Sequence, residues 1–208
     1  MGREWIIIRH GEADHMVGSD PLTGGWTDTH LTERGREQAR RTGLALAADP
    51  PEGAYGFWCS DLARARETAE IIGRAAGRTP VPHTALREFN NGVAAGMTRR
   101  EAHAVAAPLA GHVGDWRPYE GGENWREFMA RVNRFADGHL AQGSHVIVCH
   151  SGTAFNLVFR FLGLEERYLG QVYTDLDPCG IIRLRTSEFG ENTIRCLNDR
   201  SHLAAPCG

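Results

Sequence analysis

The stretch Glu4-Trp5-Ile6-Ile7-Ile8-Arg9-His10-Gly11-Glu12 decides the fold. Its first half is almost wholly apolar and rich in β-branched residues, with no polar alternation, which is the pattern of a strand covered by helices on both faces. It breaks off at Arg9-His10-Gly11, and a polar, glycine-rich stretch runs from Glu12 to His30. The same pattern recurs late in the chain. His145-Val146-Ile147-Val148-Cys149 reads as a second buried strand, turned by His150-Ser151-Gly152 into a helix reaching about Leu162. Between them Gly56-Phe57-Trp58-Cys59 reads as a shorter strand. It leads into Ser60, whose hydroxyl is expected to cap a helix from Asp61 to about Ala76 with Leu62, Ala65, Ala69 and Ile72 on its inner face.

The remaining segments fill in this alternation. Thr32 can cap a helix through Gln38 to about Ala48, stopped by Pro50-Pro51 and Gly53. Val81-Pro82-His83 is restricted by its prolines to a short or edge strand. Thr98-x-x-Glu101 forms a capping box for a helix that Pro108 should end. From Glu123 to Leu140 the positions Trp125, Phe128, Met129, Val132, Phe135 and Leu140 recur at helical spacing. Ile181 to Arg185 and Thr193 to Leu197 read as a closing β-hairpin around Gly190. The expected architecture is therefore α/β: a mainly parallel central sheet flanked by helices on both faces, with a C-terminal β-hairpin. Residues 1–208 are read as one domain, without repeats or linkers.

Composition narrows the partners. A net charge of -3 gives no concentrated basic face for nucleic acid or an anionic membrane. All 23 basic residues are arginine, which excludes lysine Schiff-base chemistry and a lysine-centred phosphate loop. The cysteines Cys59, Cys149, Cys179, Cys196 and Cys207 are scattered without a C-x-x-C pair, so no disulfide framework or zinc site is expected, and a cytoplasmic setting fits. The apolar run at Trp5 to Ile8 is far too short for a signal or a membrane span.

In open α/β sheets ligands bind beyond the carboxyl ends of the strands. That rule selects Arg9-His10 after the first strand, Ser60 through Arg64 after the second and His150-Ser151 after the late one. A phosphoryl group in transfer spreads charge over its equatorial oxygens, so it needs several fixed donors and an in-line nucleophile. Arginine forks, a second histidine and the backbone N–H groups of the turn at Ser151 supply such donors. A neutral imidazole can be the nucleophile if a hydrogen bond to its other nitrogen fixes the tautomer. Arg64 sits in the first turn of a helix, where a cation opposes the dipole, which suggests an anion nearby. The departing alkoxide needs a proton, and Glu88 within Leu86-Arg87-Glu88-Phe89-Asn90-Asn91-Gly92 is the best-placed acid, with Glu12 and Asp28 as competitors.

These segments together resemble the histidine phosphatase superfamily, also called phosphoglycerate mutase-like, over most of the chain. Arg9-His10-Gly11-Glu12 resembles its R-H-G-E signature, and Leu31-Thr32-Glu33-Arg34-Gly35 through Ala39 its first helix. Ser60-Asp61-Leu62-Ala63-Arg64-Ala65 with Thr68-Ala69 is similar to its second phosphate segment, which places the family arginine on Arg64 rather than Arg66. Leu86 to Gly92 resembles the segment with the proton donor, and Gly121-Gly122-Glu123 with Arg131 its next helix. Val148-Cys149-His150-Ser151-Gly152 is similar to the second-histidine motif, and Leu197-Asn198-Asp199 with His202-Leu203 to its tail. The resemblance implies His10 as nucleophile, Arg9, Arg64 and His150 as the phosphate clamp, Glu88 as general acid and base, and no metal or organic cofactor. It implies a phosphohistidine intermediate and a small phosphomonoester as substrate. Oligomeric state is not readable, and a homodimer stays open.

Departures from the family favour hydrolysis over transfer. The mutases' R-H-G-E-S-x-x-N becomes Ala13 and Met16 here, and their E-R-H-Y-G becomes Glu88-Phe89-Asn90-Asn91-Gly92. A phosphoglycerate-type mutase is the nearest rival. A non-catalytic phosphate binder is the rival of another class. The cluster His10, Glu12, Asp14 and His15 invites a metal reading without regular ligand spacing. Cys149 invites a cysteine-phosphatase reading, but Phe155 stands where the required arginine would be, and Ser151 lacks the flanking glycines of a nucleophile elbow. The segments Ala13 to His30 and Met97 to Gly122 are expected to shape the leaving-group side, with Trp26, Trp116 and Tyr119 as an apolar wall or as packing. A sugar phosphate, a nucleotide or a specialised intermediate would all be compatible. His83, His103, His112 and His139 are read as structural.

Overall fold

The computed structural model describes residues 3–204. Strands β1 (Glu4–Arg9), β2 (Tyr55–Ser60), β3 (Val81–His83), β4 (Ser144–Cys149), β5 (Ile181–Thr186) and β6 (Asn192–Asp199) form one six-stranded sheet in the order β3-β2-β4-β1-β5-β6. The four strands from β3 to β1 run parallel, and β5 and β6 are antiparallel additions. Helices α1 (Glu33–Ala48), α2 (Ala63–Ala76), α3 (Arg99–Val105), α4 (Trp125–His139) and α5 (Ser151–Leu162) are accompanied by short 3-10 turns in the connecting loops.

The unbroken apolar runs have the expected cause. Along β1, Trp5 and Ile7 face α4 and α5 with Phe128, Val132, Phe135 and Leu157, while Ile6 and Ile8 face α1 and α2 with Leu46, Ala69 and Ile72. Both faces are thus covered, and successive side chains of one strand feed two separate cores. Val146 and Val148 of β4 join the second core, and Ile147 and Cys149 the first. Among the described residues no helix is long and apolar enough to cross a membrane.

Helix starts follow the caps in most cases. Thr32 accepts from Gly35 N at the head of α1, and Thr98 with Glu101 and Asn124 with Glu127 form reciprocal capping boxes at α3 and α4. Ser60 corrects one expectation: α2 starts at Ala63 with Leu62 as its cap residue, and Ser60 instead closes β2. Its Oγ still accepts from Leu62 N at 3.3 Å, but its other partner is the His150 ring, 2.9 Å away, so the hydroxyl is committed to the neighbouring strand end. Helix α3 also stops earlier than Pro108 implied. Ala106 is already extended, Ala107 is restricted by the following proline, and Ala107 N donates to Pro118 O at 2.8 Å.

Two glycines let α1 dock against the end of β1. A Cβ on Gly11 would come within 2.5 Å of the Gly35 carbonyl oxygen, and a Cβ on Gly35 would overlap the carbonyl of Glu12. The contact is backbone against backbone, so no side chain can move aside. We expect Gly35→Ala to lower stability by about 1–3 kcal/mol, the usual range for forced overpacking. Thermal unfolding would read this as a fall in Tm of several degrees, and an unchanged Tm would refute the close approach.

Candidate active site

The parallel pairing of β1 with β4 sets the site. Arg9 is in register with Cys149, so the next residues, His10 and His150, emerge side by side beyond the sheet. His10 N donates to Cys149 O at 2.9 Å, which carries the ladder one step further. The two imidazole centroids are 5.1 Å apart. On the other side of β4, β2 brings Ser60 to the same edge, and the first turn of α2 delivers Arg64.

His10 is held in one tautomer. Its Nδ1 lies 2.7 Å from the carbonyl oxygen of Gly11, which can only accept, so Nδ1 carries the proton. Nε2 is then the lone-pair nitrogen, and Arg64 Nε donates to it at 3.2 Å. Burial, followed by the charges of Arg64 and Arg9, holds the His10 pKa well below the ordinary imidazole value, against the pull of the Gly11 hydrogen bond. The ring is therefore neutral at physiological pH, with an available lone pair.

Arg64 is 1% exposed, although arginine is seldom fully buried without a carboxylate partner. Its two terminal nitrogens donate to Thr27 O at 2.6 Å and Gly25 O at 2.8 Å, and burial pushes its pKa down to about 10. Arg9 donates to Leu176 O at 2.5 Å, and burial lowers its pKa as well, with Glu88 as the largest opposing influence. Arg9 Nε and His150 Nδ1 are buried without a protein partner. The Ser60 hydroxyl, which accepts from Leu62 N, can give its own proton to His150 Nε2 and so leave Nδ1–H as a free donor. Burial and the nearby Arg64, His10 and Arg9 hold His150 neutral too.

Glu88 reaches the same region from the loop after β3. Its two carboxylate oxygens accept from Phe89 N at 2.9 Å and from Gly152 N, in the first turn of α5, at 3.0 Å. Arg131 of α4 fixes this loop by donating to the carbonyls of Ala85, Arg87 and Glu88, while Glu123 holds Arg131 in turn at 2.7 and 2.8 Å. Ser151 lies beside His150, and its hydroxyl is 3.3 Å from that of Tyr173. The competitors lie elsewhere in function: Glu12 is bound to Thr32 and Arg34, and Asp28 accepts from Ala63 N. Trp26 is packing, since its ring N–H donates to Glu88 O and Arg87 lies 4.8 Å above it. Trp116 and Tyr119 do line a cavity next to Glu88.

Several supporting residues escape a sequence reading. Asn91 is buried, accepts from Trp26 N at 2.9 Å and donates to Thr23 Oγ1, which fixes the loop whose carbonyls hold Arg64. Gly25 has φ +58, and a Cβ there would strike Asn91. Thr68 accepts from Gly11 N and donates to Arg64 O, tying the first motif to the second. Asn198 clasps Asp177 by backbone and side chain and so steadies the segment that presents Leu176 O to Arg9. The Asn91-Gly92 and Asn198-Asp199 pairs were visible as motif residues, but not their targets. His15 is buried with its ring centroid 5.9 Å from that of His10. Among the described residues, no group of three or more histidine, cysteine, aspartate or glutamate side chains is placed to hold a metal ion. Burial pushes the Cys149 thiol up, away from a reactive thiolate. His83 and His139 stack with Phe135 and Trp58 away from this edge.

The model of the histidine phosphatase superfamily (branch 1) matches residues 5–200. The chain belongs to that family. A 2,3-bisphosphoglycerate-dependent phosphoglycerate mutase of Xanthobacter autotrophicus is 34% identical over 135 residues, 61% of this chain and 63% of the relative, so the chain spans less than two thirds of that mutase. The protein named "Probable phosphoglycerate mutase GpmB" of Escherichia coli O1:K1 is 32% identical over 96% of this chain and 94% of its own. Among solved structures, mycobacterial glucosyl-3-phosphoglycerate phosphatase superposes with a TM-score of 0.76 at 25% identity, covering 95% of this chain and 99% of its own.

In this member of the histidine phosphatase superfamily the buried imidazoles fix a pH dependence of stability. His10 and His150 lie well below the ordinary value when folded, and burial lowers His15 to about 4. The unfolded chain therefore takes up protons first as pH falls through about 6.5, so stability is full above that value and declines below it. Each of the three contributes up to about 1.4 kcal/mol per pH unit in that window. We expect Tm to be flat from pH 8 to 7 and to fall between 6.5 and 5, with a shallower fall in His15→Gln. A wild-type Tm that held to pH 5 would contradict the neutral assignment.

Proposed function

We propose that the chain is a metal-independent phosphomonoesterase that hydrolyses a small phosphorylated metabolite through phosphohistidine on His10. The observation that carries the reading is the locked His10 ring, with Nδ1–H on the Gly11 carbonyl and Nε2 turned toward Arg64. A lone-pair nitrogen among a buried and a half-buried guanidinium group and a second imidazole is a nucleophile surrounded by donors for an anion.

In the first step Nε2 attacks phosphorus in line with the ester oxygen. The P–O bond breaks, and the Glu88 carboxyl gives its proton to the leaving alkoxide, which departs as the free alcohol. Arg9, Arg64 and His150 Nδ1–H donate to the equatorial oxygens, and Ser151 N adds a backbone donor at the head of α5. In the second step the Glu88 carboxylate takes a proton from water as its oxygen attacks phosphorus. The P–N bond breaks, inorganic phosphate leaves, and Nε2 regains its lone pair. The fixed donors supply the positive charge that a metal supplies in other phosphatases, without a metal ligand set.

Phosphatase and mutase chemistry share the first step and differ in what takes the phosphoryl group from His10. Curated relatives named as mutases keep the second reading in view. Phe89, in place of the arginine that follows the acid in the mutases' E-R-H-Y-G, supports water as the acceptor. Free thiols at Cys59, Cys149, Cys179 and Cys196 fit a reducing, cytoplasmic setting.

Rapid quenching of the wild-type protein with substrate should trap acid-labile, base-stable phosphate on the chain, and His10→Ala should trap none and lose at least about a thousandfold in kcat. EDTA should leave the rate unchanged. Glu88→Gln should slow alkyl phosphates by about 10²–10⁴ and activated aryl phosphates far less. Equal slowing of both would remove Glu88 from the acid role. With 3-phosphoglycerate and a bisphosphoglycerate primer, isomer formation outpacing phosphate release would favour the mutase.

A further inference from the structure

We infer that the alcohol half of the substrate carries a flat, uncharged aromatic group, seated in an aromatic groove that opens beside Glu88. This rests on the phosphomonoesterase reading and specifies its leaving group. A cavity of about 310 Å³ is lined by Glu88 and Gly152 at its inner end and by Trp116, Tyr119, Trp125 and Tyr173 along its walls. A second cavity, of about 230 Å³, shares Trp125 and Tyr173 and extends the groove past Val113, Phe155, Leu169 and Val172. Glu88 is thus common to the phosphate end and the groove, so whatever leaves with a proton from Glu88 leaves along these rings.

The walls are ring faces and edges in sequence. Phe89 to Trp125, Trp125 to Phe155 and Phe155 to Tyr173 have centroids 5.6, 5.8 and 5.1 Å apart. Such spacings suit a further ring packed in the offset or edge-on manner aromatic groups prefer. Two of the polar tips are already engaged. The ring N–H of Trp116 donates to Ala107 O at 2.9 Å, and the Tyr173 hydroxyl pairs with Ser151.

Charge points the same way. Apart from the phenols, Glu88 is the only titratable group lining either cavity, and it is an acid. Of the cations nearby, Arg117 is paired with Glu127 at 2.6 Å, Arg126 with Glu166 at 2.6 Å and with Asp115, and Arg131 with Glu123 at 2.7 Å, while Arg9, whose charge reaches Glu88 and Tyr173, belongs to the phosphate end and donates to Leu176 O. A glycerate carboxylate would enter beside Glu88 with no cation among the lining residues to meet it, and a polyol would give up water for walls that are mostly ring carbon. A neutral aromatic group loses neither.

The test compares kcat/KM of the wild-type protein for 2-(2-naphthyl)ethyl phosphate, glycerol 1-phosphate and 3-phosphoglycerate. All three are esters of unactivated alcohols, so leaving-group acidity does not favour the aromatic one. Equilibrium dialysis of 2-(2-naphthyl)ethanol against wild type and Tyr173→Ala reads the groove without chemistry. We expect the naphthyl ester to be turned over at least tenfold more efficiently, and the alcohol to bind at least threefold more weakly to Tyr173→Ala. Hydrolysis of either polar ester as efficiently as the naphthyl ester overturns the inference and leaves the phosphatase standing. Binding of the alcohol, weakened by Tyr173→Ala, without turnover of any ester supports the aromatic site and removes the phosphatase. Absence of both overturns the two together.

Discussion

Two guanidinium groups, that of Arg64 buried and that of Arg9 half-buried, meet at one sheet edge with neutral hydrogen-bond partners. Arg64 has two loop carbonyls and an imidazole, and Arg9 has a carbonyl. Removing a charge from water without an opposing charge is among the costliest things a fold can do, and two like charges make it worse. The depressed pKa of each arginine records that cost, and each weakens the other histidines' hold on a proton. Glu88 offsets part of it, but the excess is positive. The arrangement is stable in proportion to the rest of the protein's ability to keep the cations in place until an anion arrives.

Much of the surrounding structure serves that end. The carbonyls of Gly25 and Thr27 face Arg64 because Asn91 fixes the loop that carries them, and Gly25 adopts a left-handed conformation to do so. Leu176 O meets Arg9 because Asn198, itself at φ 54, clasps Asp177. Thr68 links Gly11 to the turn of α2 that bears Arg64, so the segments carrying His10 and Arg64 share one support. Each tether is an amide or hydroxyl bonded at both ends, which gives orientation without adding charge.

The sequence was most informative where one residue type answers one local demand. Unbroken apolar strands followed at once by Arg9-His10 and His150-Ser151 fixed the α/β class and the working edge, since strand ends in such sheets face the ligand. Ser60 misled because a hydroxyl after a strand and before a helix reads as a cap, whereas parallel pairing with β4 gave it His150 as a partner. Cross-strand register is not written locally, so that contact needed the structure. The same holds for Asn91 and Asn198, whose partners lie 65 and 21 residues away. Trp26 and Trp116 were alike as exposed-loop tryptophans in the sequence, and only the third dimension sent one under Glu88 and the other into the groove.

The division between the two halves of the site has a consequence for how such a fold can diversify. At the phosphate end every donor belongs to a strand end, a helix start or a loop anchored to them, so displacing one disturbs the balance of buried charge. On the far side of Glu88 the walls come from Phe89, the chain between α3 and α4, the first turn of α4, Phe155 of α5 and the segment after α5, and among them Tyr173 is the ring that touches that balance, through Arg9. The rings other than Tyr173 can be exchanged for amides without touching the partners of Arg9 or Arg64. Within a fold shared with a glucosyl-3-phosphoglycerate phosphatase at 25% identity, and a family shared with named mutases, such walls can vary in polarity and shape around one phosphate end. On the proposed reading, selectivity in this protein resides in what the groove fails to offer, since a charged leaving group would meet the acid proposed to protonate it.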